Sequence, residues 1–556
     1  MALNKPDLQK KLSAQFKVSP IIAQILINRG LDNVQDAKAY LEKDIDSLYD
    51  PFLLPDMKES AKRVLSAVKE KELITIYGDY DADGICATAL LFLTLQEMGA
   101  KCGYYLPHRI DEGYGLNKEA IEKCRDIGTK LLITVDCGIS GKDEINYAKS
   151  LGMDVIVTDH HLPTSDIPEC VGVINPKING SKYPYKELAG VGVAYKLAEA
   201  ITKTSKKINV KKHLDLVAVG TVADIVPLTG ENRILVHHGL KTLDSTQKIG
   251  LTKLKEKGGI KIAVEAIHIA FRIAPRLNAA GRLATAESAI KLLLTKDNAE
   301  ATQLCNELDA NNRERQKIEE EVLDSAIAQM DLNFDFNDDR VIVLHNKEWP
   351  AGVIGIVAGR ITSRYNRPCI MISVNEGLGK GSGRSIRNFH LLNALQSCDK
   401  HLRKFGGHAH AAGLSIEELL IDPFRKKINE HAHIVLKDED LIPTIDIDAE
   451  IDPQNIDFDL IEQLKVLEPF GHHNQRPCLA AKNFQIYREP VIVGDGHLKF
   501  WVKSGMRVFE AIGFEMAQYQ SLFDDVVSVD LAFRPQINIW QNKQTLQLNV
   551  MDIKAR

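Results

Sequence analysis

The sequence of 556 residues lacks any run approaching the ~18 consecutive apolar residues that a membrane helix needs, so a spanning helix is not expected. It has nine cysteines but no C-x-x-C pair, which fits neither a disulfide framework nor a zinc ribbon; reduced, buried thiols are expected. There is no internal repeat, no low-complexity tract and no G-x-x-x-x-G-K-[ST] loop, so ATP hydrolysis is not indicated. The opening stretch MALNKPDLQKKLSAQFKV lacks the apolar segment of an export signal, and a cytoplasmic protein is expected. Positive charge is not in excess either: 70 Lys+Arg stand against 75 Asp+Glu, a net −5. A protein that coats nucleic acid by bulk charge is thereby excluded, though a local basic groove is not.

What is present is an ordinary globular composition, 44% apolar and 26% charged, long enough for three to four domains at the usual ~150 residues each. Residues 1–65 read as helices. Ile21, Ile22, Ile25 and Leu26 recur at helical spacing and stop at Asn28-Arg29-Gly30, and a second pattern runs from Val34 to Leu41. This region is expected to pack on the domain that follows it, residues 66–290.

Residues 66–290 alternate β-rich runs with helical patterns, the signature of a doubly wound parallel sheet. The expected strands are Leu73–Tyr77, Leu131–Val135, Val155–Thr158 and Leu216–Val222. Residues 291–335, without Pro or Gly, read as one long linker helix on which Arg313 and Arg315 belong to a solvated face. A smaller α/β block is expected over 336–440 and a small β-barrel over 441–556, from short alternating runs such as Phe484–Tyr487 and Leu498–Val502.

The acids fall at the ends of the expected strands. The first run ends in DYDADG, with Asp79, Asp81 and Asp83; the second in Asp136; the third in Asp159-His160-His161; the fourth in Asp224. In an open parallel sheet, ligands bind outside the carboxyl ends of the strands. A single Asp in such a loop is ordinarily a helix N-cap, but four loops delivering acids to one edge call for cations to neutralise them. Oxygen ligands with one or two imidazoles and no thiolate suit Mn²⁺ or Mg²⁺, two ions in all. Such a pair activates water and stabilises the leaving oxygen of a phosphoester. Asp79, furthest from the pattern, is given a supporting role, as is Asp159.

The second block carries GLGKGSGRS, four glycines around Lys380, Ser382 and Arg384. Backbone N–H groups approach an anion closely there and Arg gives a bidentate phosphate contact, although a surface turn accounts for the string equally well.

The strings DYDADG, VDCG, TDHH and GTVADIVPL resemble the ordered motifs of the DHH phosphoesterase superfamily. PHRIDEGYG, LAGVGVAYKLA, APRLNAAGR, GVIGIVAGR and GGHAHAAG extend the resemblance to its RecJ branch over nearly the whole chain. The fold implied is a DHH catalytic domain, a DHHA1 substrate-binding domain and a C-terminal OB-fold. The activity implied is a metal-dependent 5′-to-3′ exonuclease that hydrolyses single-stranded DNA to mononucleotides in repair and recombination. The rival reading is a DHH–DHHA1 phosphodiesterase on short oligonucleotides or small nucleotides.

Carried over by position, the resemblance implies that Asp81, Asp83, Asp136, His160 and Asp224 ligate the metals, with Asp136 bridging and His161 facing the scissile phosphate. His108, Arg109, Arg282, Ser382, Arg384, Gly406, Gly407 and His408 would bind substrate. Pro350 stands where RecJ-type sequences commonly carry a His, which removes one expected contact. Implied partners are single-stranded DNA, a single-strand-binding protein and a helicase; a monomer without membrane contact is expected. In the barrel, Tyr487, Phe500, Trp501 and Phe509 are candidate stacking residues, of which one of the adjacent pair Phe500 and Trp501 must point inward. From Ile445 to Arg556 there are 11 Lys+Arg against 16 Asp+Glu, so the barrel is expected to enclose the strand or dock a protein rather than to grip DNA by charge.

Overall fold

The computed structural model describes residues 5–108, 115–163, 166–203, 208–283, 286–524, 526–541 and 543–556. Five strands build the first sheet: β1 (Leu73–Gly78), β2 (Lys101–Tyr105), β3 (Thr129–Val135), β4 (Asp154–Thr158) and β5 (Gly172–Ile174). All pair in parallel in the order β2-β1-β3-β4-β5. Ile74, Ile76, Leu131, Ile133, Val135, Ile156 and Val157 are buried, as the β-branched runs of a sheet covered on both faces require. The order reverses between β1 and β3, and at that switch point the strand ends splay into a crevice.

The layers flanking the sheet come from α4 (Met57–Glu70), α5 (Ala82–Glu97), α6 (Lys118–Asp126), α7 (Lys142–Ser150), α8 (Gly190–Thr202), α9 (Leu214–Ala223) and α10 (Gly230–Asp244). Here one expectation is corrected: Leu216–Val222 is not a strand but the body of α9. Every residue from Leu214 to Val222 is buried. A short run that is apolar all round carries no period by which to tell a buried helix from a buried strand.

The helix Asn298–Asn333 has 36 residues, roughly 54 Å at 1.5 Å per residue. Its first turns (Ala301, Leu304, Cys305, Leu308) join the catalytic core, and its last (Val322, Leu323, Ala326, Met330) join the second lobe. It is thus a shared beam rather than a free linker. Arg313 is exposed and pairs with Asp309, but Arg315 is buried, against the solvated face expected for both. Its Nη2 donates to Asn312 Oδ1 at 2.9 Å, and Glu319 lies 3.4 Å from its Nε.

The second lobe holds β6 (Ile342–Asn346), β7 (Cys369–Asn375), β8 (Leu378–Arg384), β9 (Lys404–Gly407) and β10 (Ala411–Glu417), in the order β6-β7-β8-β10-β9. The last domain closes β12 (Leu479–Val493), β13 (His497–Ser504), β14 (Arg507–Gly513), β15 (Ser528–Trp540) and β16 (Lys543–Ala555) into a five-stranded barrel, since β12 also pairs with β15; β11 (Ala449–Glu450) is appended to β12.

The N-terminal helices α1 (Pro6–Phe16), α2 (Pro20–Asn28) and α3 (Val34–Glu42) turn their apolar faces to the barrel, while α3 also touches the catalytic domain, where Arg233 lies 3.8 Å over the Tyr40 ring and donates from Nε to Tyr40 O at 3.1 Å. Leu12, Ile22, Ile25 and Leu26 share one apolar core with Leu479, Phe484, Phe500 and Phe533 of the barrel. Arg29 Nε meets Asp448 Oδ1 at 2.7 Å, and Tyr40 Oη donates to Asn474 Oδ1 at 2.7 Å. Ile45, Leu48, Leu54 and α4 join the catalytic core. Helical spacing defines an apolar face; it does not say which surface that face will meet. In the barrel, Phe500 and Phe509 are buried, while Tyr487 is half exposed and Trp501 lies on the outer face beside Arg488 and Lys499. Among the described residues no helix is long and apolar enough to cross a membrane.

Candidate active site

The loop after β1 is held from two sides. Asp81 is indeed the N-cap of α5: its Oδ1 accepts from Asp83 N–H (2.9 Å) and Gly84 N–H (3.1 Å). Asn278, on the helix Ala274–Leu283, accepts from Ala82 N–H at 2.7 Å. Asp83 faces the start of α8, where Gly190 N–H and Val191 N–H donate to its two oxygens at 2.7 and 2.9 Å. Burial and the Asp81 charge nevertheless push the Asp83 carboxyl up to about 7.

Asp136 ends β3 with a left-handed backbone (φ 60°), a conformation Asp tolerates better than most residues. A Cβ on Gly190 would lie 2.3 Å from Asp136 Oδ1, so only glycine allows α8 to start this close to the carboxylate. Asp224 closes the C-terminal end of α9, and the next residue, Ile225, is also left-handed at φ 60°. For a β-branched residue that is a real strain, and it sits at the site edge.

Among the described residues, three groups each have ligand atoms within 4.8 Å of one another: Asp79, Asp81 and Asp136; Asp136, His160 and His161; and Asp83, His160 and Asp224. Asp136 and His160 each belong to two of them. His160 Nε2 is 3.2 Å from Asp136 Oδ1 and 3.5 Å from Asp224 Oδ2. These three atoms are buried, and none makes a hydrogen bond. Buried polar atoms in folded proteins are ordinarily satisfied, so this convergence fits a divalent cation bound by hard oxygen and imidazole nitrogen. Burial and the neighbouring aspartates hold Asp136 and Asp224 far above the usual carboxylate range, and burial with the His161 charge depresses His160 to about 3. A carboxylate cluster that resists ionisation by itself is one that a cation would charge.

Asp159 is fully buried below the histidines and serves them. Its Oδ1 accepts from His160 N–H (2.7 Å), His161 N–H (3.0 Å) and His161 Nδ1 (2.7 Å), and its Oδ2 from Ile139 N–H (2.9 Å). Burial alone would depress His161, but the Asp159 hydrogen bond and charge outweigh it and raise the imidazole above its ordinary value.

Across the cleft, Ser382 and Arg384 share a face of β8, with Arg384 Nη1 donating to Ser382 Oγ at 3.2 Å. A Cβ on Gly355, in the first turn of the helix Ile354–Tyr365, would come within 2.7 Å of Ser382 Oγ and 3.2 Å of Arg384 Nη2. A helix N-terminus, a hydroxyl and a guanidinium thus meet in one pocket fit for a phosphate. The other glycine motif lies alongside: β10 pairs Gly413 with Ser382 on one side and with Gly406 on the other, and Gly407 (φ 142°) leads into the His408 turn. His108 follows β2 at the same edge of the first sheet. Arg109, Gly113 and Tyr114 lie outside the described residues, as does the Arg282 side chain.

Sequence reasoning gave Asp79 a supporting part, whereas the structure brings its carboxylate into one of the ligand groups. It missed Asn278, which a lone Asn in a helical pattern does not announce.

Family models match the three domains: the DHH family N-terminal domain over residues 73–221, the DHHA1 domain over 338–433 and the RecJ OB domain over 447–552. The single-stranded-DNA-specific exonuclease RecJ of Bacillus subtilis is 37% identical over 99% of this chain and 70% of its own length. That of Escherichia coli is 32% identical over 99% and 98%. The chain belongs to the RecJ family. The crystal structure of RecJ in complex with Mn²⁺ from Thermus thermophilus superposes with a TM-score of 0.86 at 30% identity, over 100% of this chain and 78% of that one. A RecJ complex with Mg²⁺ from the same organism gives 0.80.

Proposed function

We propose that this chain is a metal-dependent exonuclease that removes mononucleotides from the 5′ end of single-stranded DNA. The observation that carries the reading is the convergence of Asp136, His160 and Asp224, with unsatisfied buried atoms, across the cleft from the Ser382–Arg384 pocket. Asp81, Asp83, Asp136, His160 and Asp224 would hold two Mn²⁺ or Mg²⁺ ions, with Asp136 shared between them and Asp79 close by. Bound there, the ions supply activation of water and neutralisation of the charge developing on the phosphate.

The chain's own residues do the rest. His161, whose imidazole the Asp159 hydrogen bond and charge raise above its ordinary value, faces the scissile phosphate and offers a proton toward it. Ser382 and Arg384, with Gly406, Gly407 and His408, hold the 5′ phosphate, while His108 flanks the strand. A grip on the terminal phosphate one linkage from the metals sets both the direction and the size of the product. The acidic barrel closes over the strand through its outer face, where Tyr487 and Trp501 offer rings to bases. The setting proposed is the cytoplasm, where a monomer takes strands made available by a helicase and a single-strand-binding protein.

A time course with internally labelled single-stranded DNA, its duplex and a dinucleotide, in Mn²⁺, Mg²⁺ or EDTA, tests this. Metal-dependent release of mononucleotides from the single strand's 5′ end, and none from duplex, is the expected result. Cleavage of the dinucleotide alone would replace the substrate, and no cleavage with either metal would remove the nuclease.

A further inference from the structure

Asp81 and Asp83 stand at the start of α5, where the leading N–H groups of a helix have no partner within it. Asp81, as N-cap, takes Asp83 N–H and Gly84 N–H itself. The donor between the two acids, Ala82 N–H, is taken from outside: Asn278 Oδ1 accepts it at 2.7 Å. A backbone N–H can only donate, so its partner is the carbonyl end of the Asn278 amide, and this fixes which way that side chain is turned.

The helix that carries Asn278, Ala274–Leu283, is itself held firmly. Leu277, Ala279 and Ala280, on either side of Asn278 in the chain, are fully buried. Arg276 Nε and Nη2 meet Asp309 Oδ1 at 2.9 and 2.8 Å, which ties this helix to the 36-residue helix that both lobes share. A Cβ on Gly281 would come within 2.7 Å of Tyr80 O, so glycine lets the helix lie against the backbone just before Asp81. The DYDADG loop is therefore gripped at Tyr80 and at Ala82, on both sides of Asp81.

We propose that Asn278 is a positioning residue of the metal centre: by holding Ala82 N–H, its Oδ1 keeps the Asp81 and Asp83 carboxylates aimed at the ions. The inference rests on the metal site of the proposed function. With the acceptor removed, Ala82 N–H becomes a donor without a partner between two acids. By turning toward either carboxylate it competes with a cation for that oxygen. Asn278 acts through the loop and not on the strand, so its loss is felt in metal affinity rather than in strand affinity.

Mn²⁺ uptake by the full chain, read from the electron paramagnetic resonance signal of the free ion, tests this. Asn278→Ala is expected to weaken Mn²⁺ binding about 10- to 100-fold, the usual effect of losing a group that orients metal ligands from behind. Asn278→Leu, which keeps the volume but has no acceptor, is expected to match it. Asn278→Asp, which keeps an acceptor for Ala82 N–H, restores binding. In cleavage of single-stranded DNA, the two variants without an acceptor regain kcat as Mn²⁺ is raised, with the strand KM unchanged. Urea unfolding establishes that each variant is folded. Unaltered Mn²⁺ affinity in a folded variant without the acceptor overturns the proposal. So does an Asn278→Asp chain that binds Mn²⁺ as weakly as Asn278→Ala, since the side chain would then only fill space. A raised strand KM with intact Mn²⁺ affinity overturns it as well. An unaltered chain that takes up no Mn²⁺, or takes up as much after Asp136→Asn, removes the metal site itself and the proposal with it.

Discussion

His161 Nδ1 lies 2.7 Å from Asp159 Oδ1, and that carboxylate has no solvent exposure. The same oxygen receives the backbone N–H groups of both His160 and His161, so one buried acid sets the backbone turn and the ring orientation together. Replacing Asp159 with Asn keeps the size and removes the charge. The His161 pKa is then expected to fall toward or below the ordinary histidine value, because the group that raises it is gone and burial remains. The histidine ring resonances of the metal-free protein, followed by NMR against pH, report this directly. Activity is expected to drop about 10- to 100-fold, as for other residues that orient a site from behind.

Gly190→Ala tests the closeness of α8 to the proposed metal site. The added methyl would lie 2.3 Å from Asp136 Oδ1 and 2.6 Å from its Cβ, so the carboxylate or the helix start must shift. The expected cost is ~1–3 kcal/mol of stability from overpacking. A larger effect is expected on metal affinity, read by calorimetric titration with Mn²⁺. A folded variant with normal Mn²⁺ affinity would show that Asp136 needs no such tight seat.

Stability is expected to fall with acid below neutrality through His213. Burial, with Lys248 and Lys212, depresses this imidazole to about 3 in the folded chain, against ~6.5 unfolded. The unfolded chain thus binds the extra proton first as pH drops below 6.5, and each unit removes stability until the folded value is reached. Between pH 6.5 and pH 5 that amounts to about 2 kcal/mol. His213→Leu, which carries no proton, should flatten this part of the decline in urea unfolding followed by circular dichroism.

The gathering of the acids was legible because Asp81, Asp136 and His160 each follow a β-rich run, and parallel strands bring their ends to one edge. Asp224 reached the same place from the end of a helix, and no period in Leu214–Val222 could have told the two apart. The alternation in β13 correctly required one of Phe500 and Trp501 to be inside; only the fold shows that it is Phe500. Arg315 was misread because a polar helical pattern does not show which of its faces will be covered: Asn312 and Glu319, its neighbours one turn away on the same helix, are buried with it.

The shared core of α1–α3 and the barrel has a consequence for how the chain is made. Ile22, Ile25 and Leu26 emerge from the ribosome early, but Leu479, Phe484 and Phe533, which cover them, come more than 400 residues later. At roughly 5–20 residues per second that is a wait of about 20–90 seconds with an apolar helix face uncovered. The catalytic and second lobes can condense in the meantime around cores of their own. Synthesis therefore leaves α1–α3 uncovered while both lobes fold, and during that interval their apolar face is open to a chaperone.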